Sequence, residues 1–174
     1  MPDMLVKLYA LPDGADDFAR LRREGVDVRR ALAPEKHLVV AWVRRRFSEY
    51  WASECEVAFA RAPLSCVVAV SQSRLVGFAC YDATMKGFFG PTGVLPSERG
   101  RGIGRALLIA ALEAMRAEGY GYAIIGGVGP AEFYQKAVGA TLIEGSSPGI
   151  YRGMLRPAAI ADDEGQPAEP SEPE

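Results

Sequence analysis

The chain has 174 residues, of which 49% are hydrophobic, and its formal net charge is −2. This length and apolar content predict a single globular domain, which we expect over residues 1–156. No stretch reaches the roughly 18 uninterrupted apolar residues that a membrane-spanning helix needs, and the first residues lack the basic-then-apolar pattern of a signal peptide. We therefore expect a cytoplasmic protein with no membrane contact.

Charge is unevenly distributed along the chain. The segment after Arg156 carries six acidic residues and no basic one. It also has almost no large apolar side chains, so residues 157–174 are predicted to be a disordered acidic, proline-rich tail. The rest has only a mild basic excess, and no aromatic residues interleave with its arginine runs, which argues against a nucleic-acid partner.

The hydrophobic pattern predicts an alternation of strands and helices. Strands are predicted at residues 4–9, 26–31, 65–71, 75–83, 87–94 and 122–125. Helices are predicted at residues 16–24, 34–47, 53–61, 104–118 and 130–138. The short joints within residues 65–94 predict an antiparallel meander, and segments 141–144 and 150–155 are expected to pair with each other.

The three cysteines, Cys55, Cys66 and Cys80, lie in apolar surroundings and form no CxxC pair. This pattern predicts small buried side chains and no metal site. The alternative is that one of them is a nucleophile paired with His37, the only histidine, which is far from all three in sequence.

A glycine-rich, basic turn joins the strand that ends at Val94 to the predicted helix from residue 104. Its sequence is Arg99-Gly100-Arg101-Gly102-Ile103-Gly104-Arg105. The unpaired N–H groups at a helix start, the helix dipole and the absence of Cβ atoms together suit a pyrophosphate. The alternative is an ordinary connection. The dinucleotide fingerprint fails because Arg105 or Leu107 stands where a glycine or alanine is required, and no glycine is followed by the lysine of a P-loop.

Residues 99–104 resemble the acetyl-coenzyme A loop of the GCN5-related N-acetyltransferase (GNAT) family, whose pattern is Gln or Arg, two residues, Gly, one residue, then Gly or Ala. The segment Phe133-Tyr134-Gln135-Lys136-Ala137-Val138-Gly139 is similar to the family's FY-x-K-x-x-G segment. The resemblance covers about residues 66–155, and residues 26–61 fit the family's first strand and two helices. It implies an α/β (α+β) fold with a mixed, mostly antiparallel sheet that is flanked by helices and splayed between its fourth and fifth family strands.

The resemblance also implies an enzyme that moves an acetyl group from acetyl-coenzyme A directly to an amine, through a tetrahedral intermediate. It places the cofactor on Arg99 to Arg105 and on the backbone of Val94 and Leu95. Tyr134 is implied to be the general acid that protonates the departing thiolate; a plain core aromatic is the alternative. No metal is implied.

A base is needed because an amine is mostly protonated at neutral pH. The candidates are Asp82, Glu98, Glu54 and Glu56, and Asp82 is preferred because it ends a strand that should border the acceptor cleft. The alternative for Asp82 is a solvated aspartate at the end of a hairpin. Many family members carry an asparagine shortly before the tyrosine, but here the segment is Gly126-Gly127-Val128-Gly129-Pro130. These glycines either form a turn, or they make room for an acceptor and offer N–H groups to a carboxylate.

The sequence therefore favours an N-acetyltransferase whose acceptor is a small-molecule amine. Two other interpretations stay open: an inactive acetyl-coenzyme A-binding sensor or interaction module, and a structural domain whose glycine loop is a turn. Dimerisation is common in the family, so a homodimer is compatible with the resemblance.

Overall fold

The computed structural model of the chain describes residues 1–156, and the predicted tail at 157–174 lies outside the described residues. The strands of the described part are β1 (Asp3–Lys7), β2 (Val26–Arg30), β3 (Cys66–Ser71), β4 (Arg74–Tyr81), β5 (Phe88–Val94), β6 (Tyr122–Ile125) and β7 (Thr141–Ile143). Its α-helices are α1 (Ala15–Arg23), α2 (Lys36–Arg46), α3 (Glu49–Phe59), α4 (Ile103–Ala117) and α5 (Ala131–Val138).

The strands form one sheet in the order β2-β3-β4-β5-β6-β1-β7. Neighbouring strands are antiparallel except β5 and β6, which are parallel. These two strands pair only where Phe88 and Phe89 lie opposite Ile124 and Ile125, and they separate beyond that point. The mixed, mostly antiparallel sheet with a splay between the fourth and fifth family strands is therefore confirmed.

The strand β1 lies inside the C-terminal half of the sheet, hydrogen-bonded to β6 on one side and to β7 on the other. The prediction that residues 150–155 pair with 141–144 is wrong. Residues Gly149–Tyr151 form a single 3-10 turn, and no strand follows it up to residue 156. The outer edge of β7 stays free within residues 1–156, but Gly149 and Gly153 have φ values of +58° and +74°, which interrupt an extended strand over these residues.

The core has two parts, one on each face of the sheet. Side chains alternate across β4, so Ala79 and Tyr81 join the cluster under α4 whereas Phe78 and Cys80 join the cluster under α2 and α3. Helix α4 is the central element of the first cluster and buries most of its apolar side chains there. The sheet is thus held from both sides, and its splayed edge has a fixed position.

Helix α3 begins earlier than predicted, at Glu49 and not at residue 53. The side chain of Ser48 accepts a hydrogen bond from the N–H of Trp51 at 3.2 Å and so caps the helix. The extra turn carries Tyr50 and Trp51, both of which lie along the cleft that the sheet opens.

Candidate active site

A cleft of about 1480 Å³ opens where β5 and β6 separate. One end is lined by the glycine loop and the start of α4. The other end is lined by the start of α3, the loop after β4 and the residues that follow β7. We refer to these ends as the loop end and the far end.

The loop end is formed mainly by backbone. Gly100 and Gly102 have φ values of +79° and +81°, which residues with a Cβ rarely adopt, so the chain can turn tightly into α4. Gly102 is the N-cap of α4, and no side chain caps the helix. The first N–H groups of α4 therefore face the cleft unpaired at the positive end of the helix dipole, which suits a pyrophosphate. The residues present thus fit the phosphate group of coenzyme A.

The three arginines of the loop have different surroundings. Arg99 is exposed on the cleft wall and forms no ion pair within residues 1–156. Arg105 also lines the cleft, and it pairs with Asp17 of α1. Arg101 points elsewhere and pairs with Glu98 and with Glu24 at 3.3 Å. Only Arg99 and Arg105 are therefore placed to contact a ligand with their side chains.

The backbone groups of Val94 and Leu95 point in opposite directions. The N–H of Leu95 donates to the carbonyl of Val76 at 2.9 Å, so it is not available to a ligand. Backbone groups alternate in direction along a strand, so those of Val94 face the gap towards β6. Val94 lines the cleft and Leu95 does not. The role predicted for the backbone of Val94 and Leu95 in binding the cofactor stays a prediction, and of the two N–H groups that of Leu95 is already paired.

Tyr134 lies in the first half of α5 and lines the middle of the cleft. The ring is 8% exposed and packs edge-on against Phe133 and Phe89, with ring centroids 5.0 Å and 6.4 Å away. Burial raises the pKa of its phenol above the ordinary value. The hydroxyl group is therefore held in its protonated form at neutral pH, at a fixed position in the cleft.

Asp82 does not line the cleft and is 4% exposed. Its carboxylate accepts hydrogen bonds from the backbone N–H of Gly87 at 2.6 Å, from Tyr120 at 2.7 Å and from Arg61 at 3.1 Å. The bond from Tyr120 raises the pKa of that phenol to about 12. With these partners, Asp82 fastens the loop between β4 and β5, and its position does not suit the predicted role of base.

Glu54 is the carboxylate that the cleft does contain at its far end. Burial raises the pKa of this carboxyl group, whereas a hydrogen bond from Thr84 acts in the opposite direction. No lysine or arginine within the described residues forms an ion pair with it. Of the other two candidates, Glu98 lies at the loop end with Arg101, and Glu56 faces solvent and pairs with Arg44.

The residues after β7 form a wall of the far end in place of the predicted strand. Pro148, Ile150, Tyr151 and Met154 line the cleft. Three hydrogen bonds hold this segment. The N–H of Asp3 donates to Ser146 at 2.8 Å, the N-terminal ammonium of Met1 donates to Ser147 at 3.2 Å, and the hydroxyl of Tyr50 donates to the carbonyl of Leu155 at 3.0 Å. Sequence reasoning missed Tyr151 and Thr84, because nothing local connects either residue to Glu54.

The glycine segment between β6 and α5 makes a turn that is closed by the N-terminus. The N–H of Gly127 donates to Asp3 at 2.8 Å, and that of Val128 donates to the carbonyl of Pro2 at 2.9 Å. A Cβ on Gly126 would lie 2.8 Å from the hydroxyl oxygen of Tyr151. The space beside Gly126 is therefore filled by Tyr151, and the N–H groups of Gly127 and Val128 are already satisfied.

The cysteines are free and buried, as predicted, and the sulfur atoms of Cys55 and Cys80 are 3.6 Å apart. None of the three lines the cleft, and His37 lies in a separate groove near Arg44. Within residues 1–156, no three histidine, cysteine or acidic side chains are arranged to hold a metal ion. No helix in that range has the length and apolarity needed to cross a membrane.

Comparison with family models gives the class of protein to which this fold and loop end belong. Residues 28–140 match the Acetyltransferase (GNAT) family, so the chain belongs to that family. No curated protein sequence matches the chain.

Three solved structures with the same fold share 17–20% sequence identity with this chain. A glucosamine N-acetyltransferase region of a fungal multi-domain β-N-acetylglucosaminidase shares 17% identity and a TM-score of 0.67 over 82% of this chain and 19% of that one. A GNAT protein from Sphaerobacter thermophilus shares 20% identity and a TM-score of 0.63 over 82% of this chain and 48% of its own. An aminoglycoside N-acetyltransferase in complex with CoA shares 17% identity and a TM-score of 0.52 over 64% of this chain and 86% of that one. This chain therefore spans a fifth to a half of the first two proteins.

Proposed function

We propose that the chain is an N-acetyltransferase that uses acetyl-coenzyme A and acts on a primary amine of a small molecule. The observation that carries the proposal is the uncapped start of α4, which opens on the same cleft as the protonated phenol of Tyr134 and the half-buried carboxylate of Glu54. A binding site alone would not need the last two groups. Membership of the GNAT family supports acetyl transfer in general.

At the loop end, the N–H groups of residues 102–105 bind the pyrophosphate, and Arg99 and Arg105 add positive charge. Arg101 contributes through its backbone, since its side chain is paired with Glu98 and Glu24. The backbone of Val94, which faces the gap between β5 and β6, orients the pantetheine arm. When bound, acetyl-coenzyme A supplies the thioester from which the acetyl group is transferred.

Tyr134 acts as the general acid. Its phenol stays protonated because burial raises its pKa, and its ring cannot turn away because Phe89 and Phe133 pack against it. It donates its proton to the sulfur atom as the carbon–sulfur bond breaks. Such a proton transfer contributes roughly 100-fold to 10,000-fold in rate.

Glu54 acts as the base in place of Asp82. Its raised pKa lies closer to neutrality than that of an exposed glutamate. The carboxylate can therefore accept a proton from the ammonium group of the acceptor, and the neutral amine that results attacks the acetyl carbonyl. A group with a raised pKa in the folded protein destabilises that protein at pH values above its pKa. Glu54→Gln is therefore expected to lose turnover without a loss of stability at neutral pH.

The expectation of a cytoplasmic location belongs to the same proposal. The described chain keeps three buried, unbridged cysteines, which is typical of proteins from a reducing compartment. A homodimer stays a prediction from family resemblance.

The direct test is to incubate the purified protein with acetyl-coenzyme A and a panel of monoamines, amino acids, aminoglycosides, polyamines and peptides. Release of free thiol and the mass of the products would be measured. Thiol release that depends on an amine, with an acetylated product, is the expected result. Saturable binding with no turnover across the panel would favour the inactive binding module, and absence of binding would contradict the proposal.

A further inference from the structure

The far end of the cleft has many apolar side chains that are exposed to solvent. Met1, Tyr50, Met85, Ile150 and Met154 all line it, and each is at least 40% exposed. Soluble domains seldom gather so many exposed apolar side chains in one place unless the place binds something. The chemistry of these walls therefore bears on the chemistry of the acceptor.

A single unpaired negative charge lies among these apolar walls. Glu54 takes a hydrogen bond from Thr84 but has no ion-pair partner in the described residues. Removing a carboxylate from water without a cation costs free energy, and a bound ammonium group recovers it. One acidic group with apolar surroundings matches a ligand with one ammonium group and an apolar body.

A ligand carboxylate finds little to bind near Glu54. The N–H groups of Gly127 and Val128 are taken by Asp3 and Pro2. Asp3, which is 7% exposed, places a second negative charge behind Tyr151 and Gly149. The charge beside Glu54 disfavours a ligand carboxylate there, although Arg156 and the N-terminal ammonium of Met1 also line the cleft. The lack of further acidic side chains along the far-end walls disfavours a polycation.

We propose that the acceptor is a primary amine with a single ammonium group and an apolar or aromatic body. Glu54 holds its ammonium group beside Thr84, and Trp51, Met85 and Tyr151 contact its body. Trp51 is fixed for this role because it stacks on Phe47, with ring centroids 5.1 Å apart. The inference rests on the proposed function, since it names the acceptor of the same cleft.

The test is calorimetric titration of the protein, in saturating coenzyme A, with three probes: 2-phenylethylamine, ethylamine and spermidine. Burial of the phenyl group is expected to make 2-phenylethylamine bind roughly tenfold or more tightly than ethylamine. Spermidine is expected to bind more weakly than 2-phenylethylamine. Equal binding of ethylamine, tighter binding of spermidine, or no binding of 2-phenylethylamine would overturn the proposal.

Two variants test the charge and the wall separately. Glu54→Gln is expected to weaken 2-phenylethylamine at least about tenfold, because the ammonium group loses its charged partner. Met85→Glu adds a second carboxylate to the exposed wall and is expected to shift preference towards spermidine. Val57→Glu is the matched control, since it adds the same charge to an exposed site outside the cleft lining and should leave preference unchanged. The same shift in both variants would contradict the proposal.

Turnover distinguishes this inference from the proposed function. Acetylation of spermidine or an aminoglycoside, with none of 2-phenylethylamine, would overturn the acceptor class and leave the N-acetyltransferase proposal standing. Binding of 2-phenylethylamine with acetyl transfer to no amine would support the acceptor site and contradict the proposed activity.

Discussion

The two ends of the cleft are built in different ways. The loop end uses backbone N–H groups from one continuous stretch, residues 99–105, at the start of α4. The far end uses side chains from three separate segments: Trp51 and Glu54 on α3, Thr84 and Met85 after β4, and Tyr151 after β7. Ligand binding at the loop end should depend on backbone shape and helix charge. Selectivity at the far end should depend on individual side chains.

The largest expected effect comes from a negative charge at the loop end. Gly104→Asp places a carboxylate in the first turn of α4, where it interacts favourably with the helix dipole by roughly 0.3–1 kcal/mol but repels a pyrophosphate. Acetyl-coenzyme A affinity should fall by about 100-fold or more, whereas thermal stability should be kept or increased. Calorimetry and thermal unfolding measure the two effects.

Gly104→Ala is the matched control for that charge. A Cβ at this position would meet Val94 at 3.7 Å and Phe133 at 3.9 Å, which are ordinary contacts. The alanine variant should bind acetyl-coenzyme A nearly as well as the wild type. Equal affinities of the aspartate and alanine variants would show that the phosphate groups do not lie at this helix start.

The next effect concerns the group between the two ends. Tyr134→Phe should lower kcat by roughly 100-fold or more through loss of the general acid, and leave the affinity for acetyl-coenzyme A unchanged. Stopped-flow and steady-state thiol release measure the change. Tyr122→Phe, an exposed position outside the cleft, is the control. An unchanged kcat in Tyr134→Phe would show that Tyr134 is a packed core residue and not the general acid.

A substitution of Asp82 tests whether this residue has a structural or a catalytic role. Asp82→Asn should lower the free energy of unfolding by roughly 2–3 kcal/mol, because the buried Arg61 and Tyr120 contacts lose a charged partner. Its kcat per folded molecule should stay within a few-fold of the wild type. Asp27→Asn, at an exposed carboxylate with a long ion pair of 3.7 Å, is the control and should cost less. A large loss of kcat with stability retained would restore Asp82 as the base.

The smallest expected effect is a shift of the pH dependence of kcat/KM. Activity should decline as pH falls through the pKa of Glu54, because the base must be ionised. The hydrogen bond from Thr84 favours the ionised form, so Thr84→Val should raise that pKa and move the acidic limb of kcat/KM to higher pH. Ser53→Ala, an exposed neighbour on α3, should leave the limb in place. A limb that is identical in wild type and Thr84→Val would exclude Glu54 as the titrating group.

The loop end could be predicted from sequence because its determinants are local. Arg99, Gly100, Gly102 and Gly104 lie within six consecutive residues, and this motif is flanked by a recognisable strand and helix. Even here, the sequence did not indicate that Arg101 pairs with Glu24, or that the N–H of Leu95 donates to the carbonyl of Val76. Both depend on contacts with residues distant in sequence.

The far end could not be predicted, because its wall forms only when the chain leaves the sheet after β7. The positive φ values of Gly149 and Gly153 interrupt an extended strand there, and residues of this segment line the cleft. Apolar alternation in residues 150–155 suits a strand or a cleft wall equally well. The choice between Asp82 and Glu54 as base could not be made from sequence either, since the burial and partners of both residues arise only when α3 and the loop after β4 come together.

The measurement that tests the account most directly is a crystal structure of the protein with coenzyme A bound. The account predicts pyrophosphate oxygens at hydrogen-bond distance, about 2.7–3.2 Å, from backbone nitrogens within residues 102–105. It also predicts the pantetheine arm between β5 and β6, with its sulfur atom beside the hydroxyl group of Tyr134. A pyrophosphate bound elsewhere, or a sulfur atom outside the cleft that contains Tyr134 and Glu54, would contradict it.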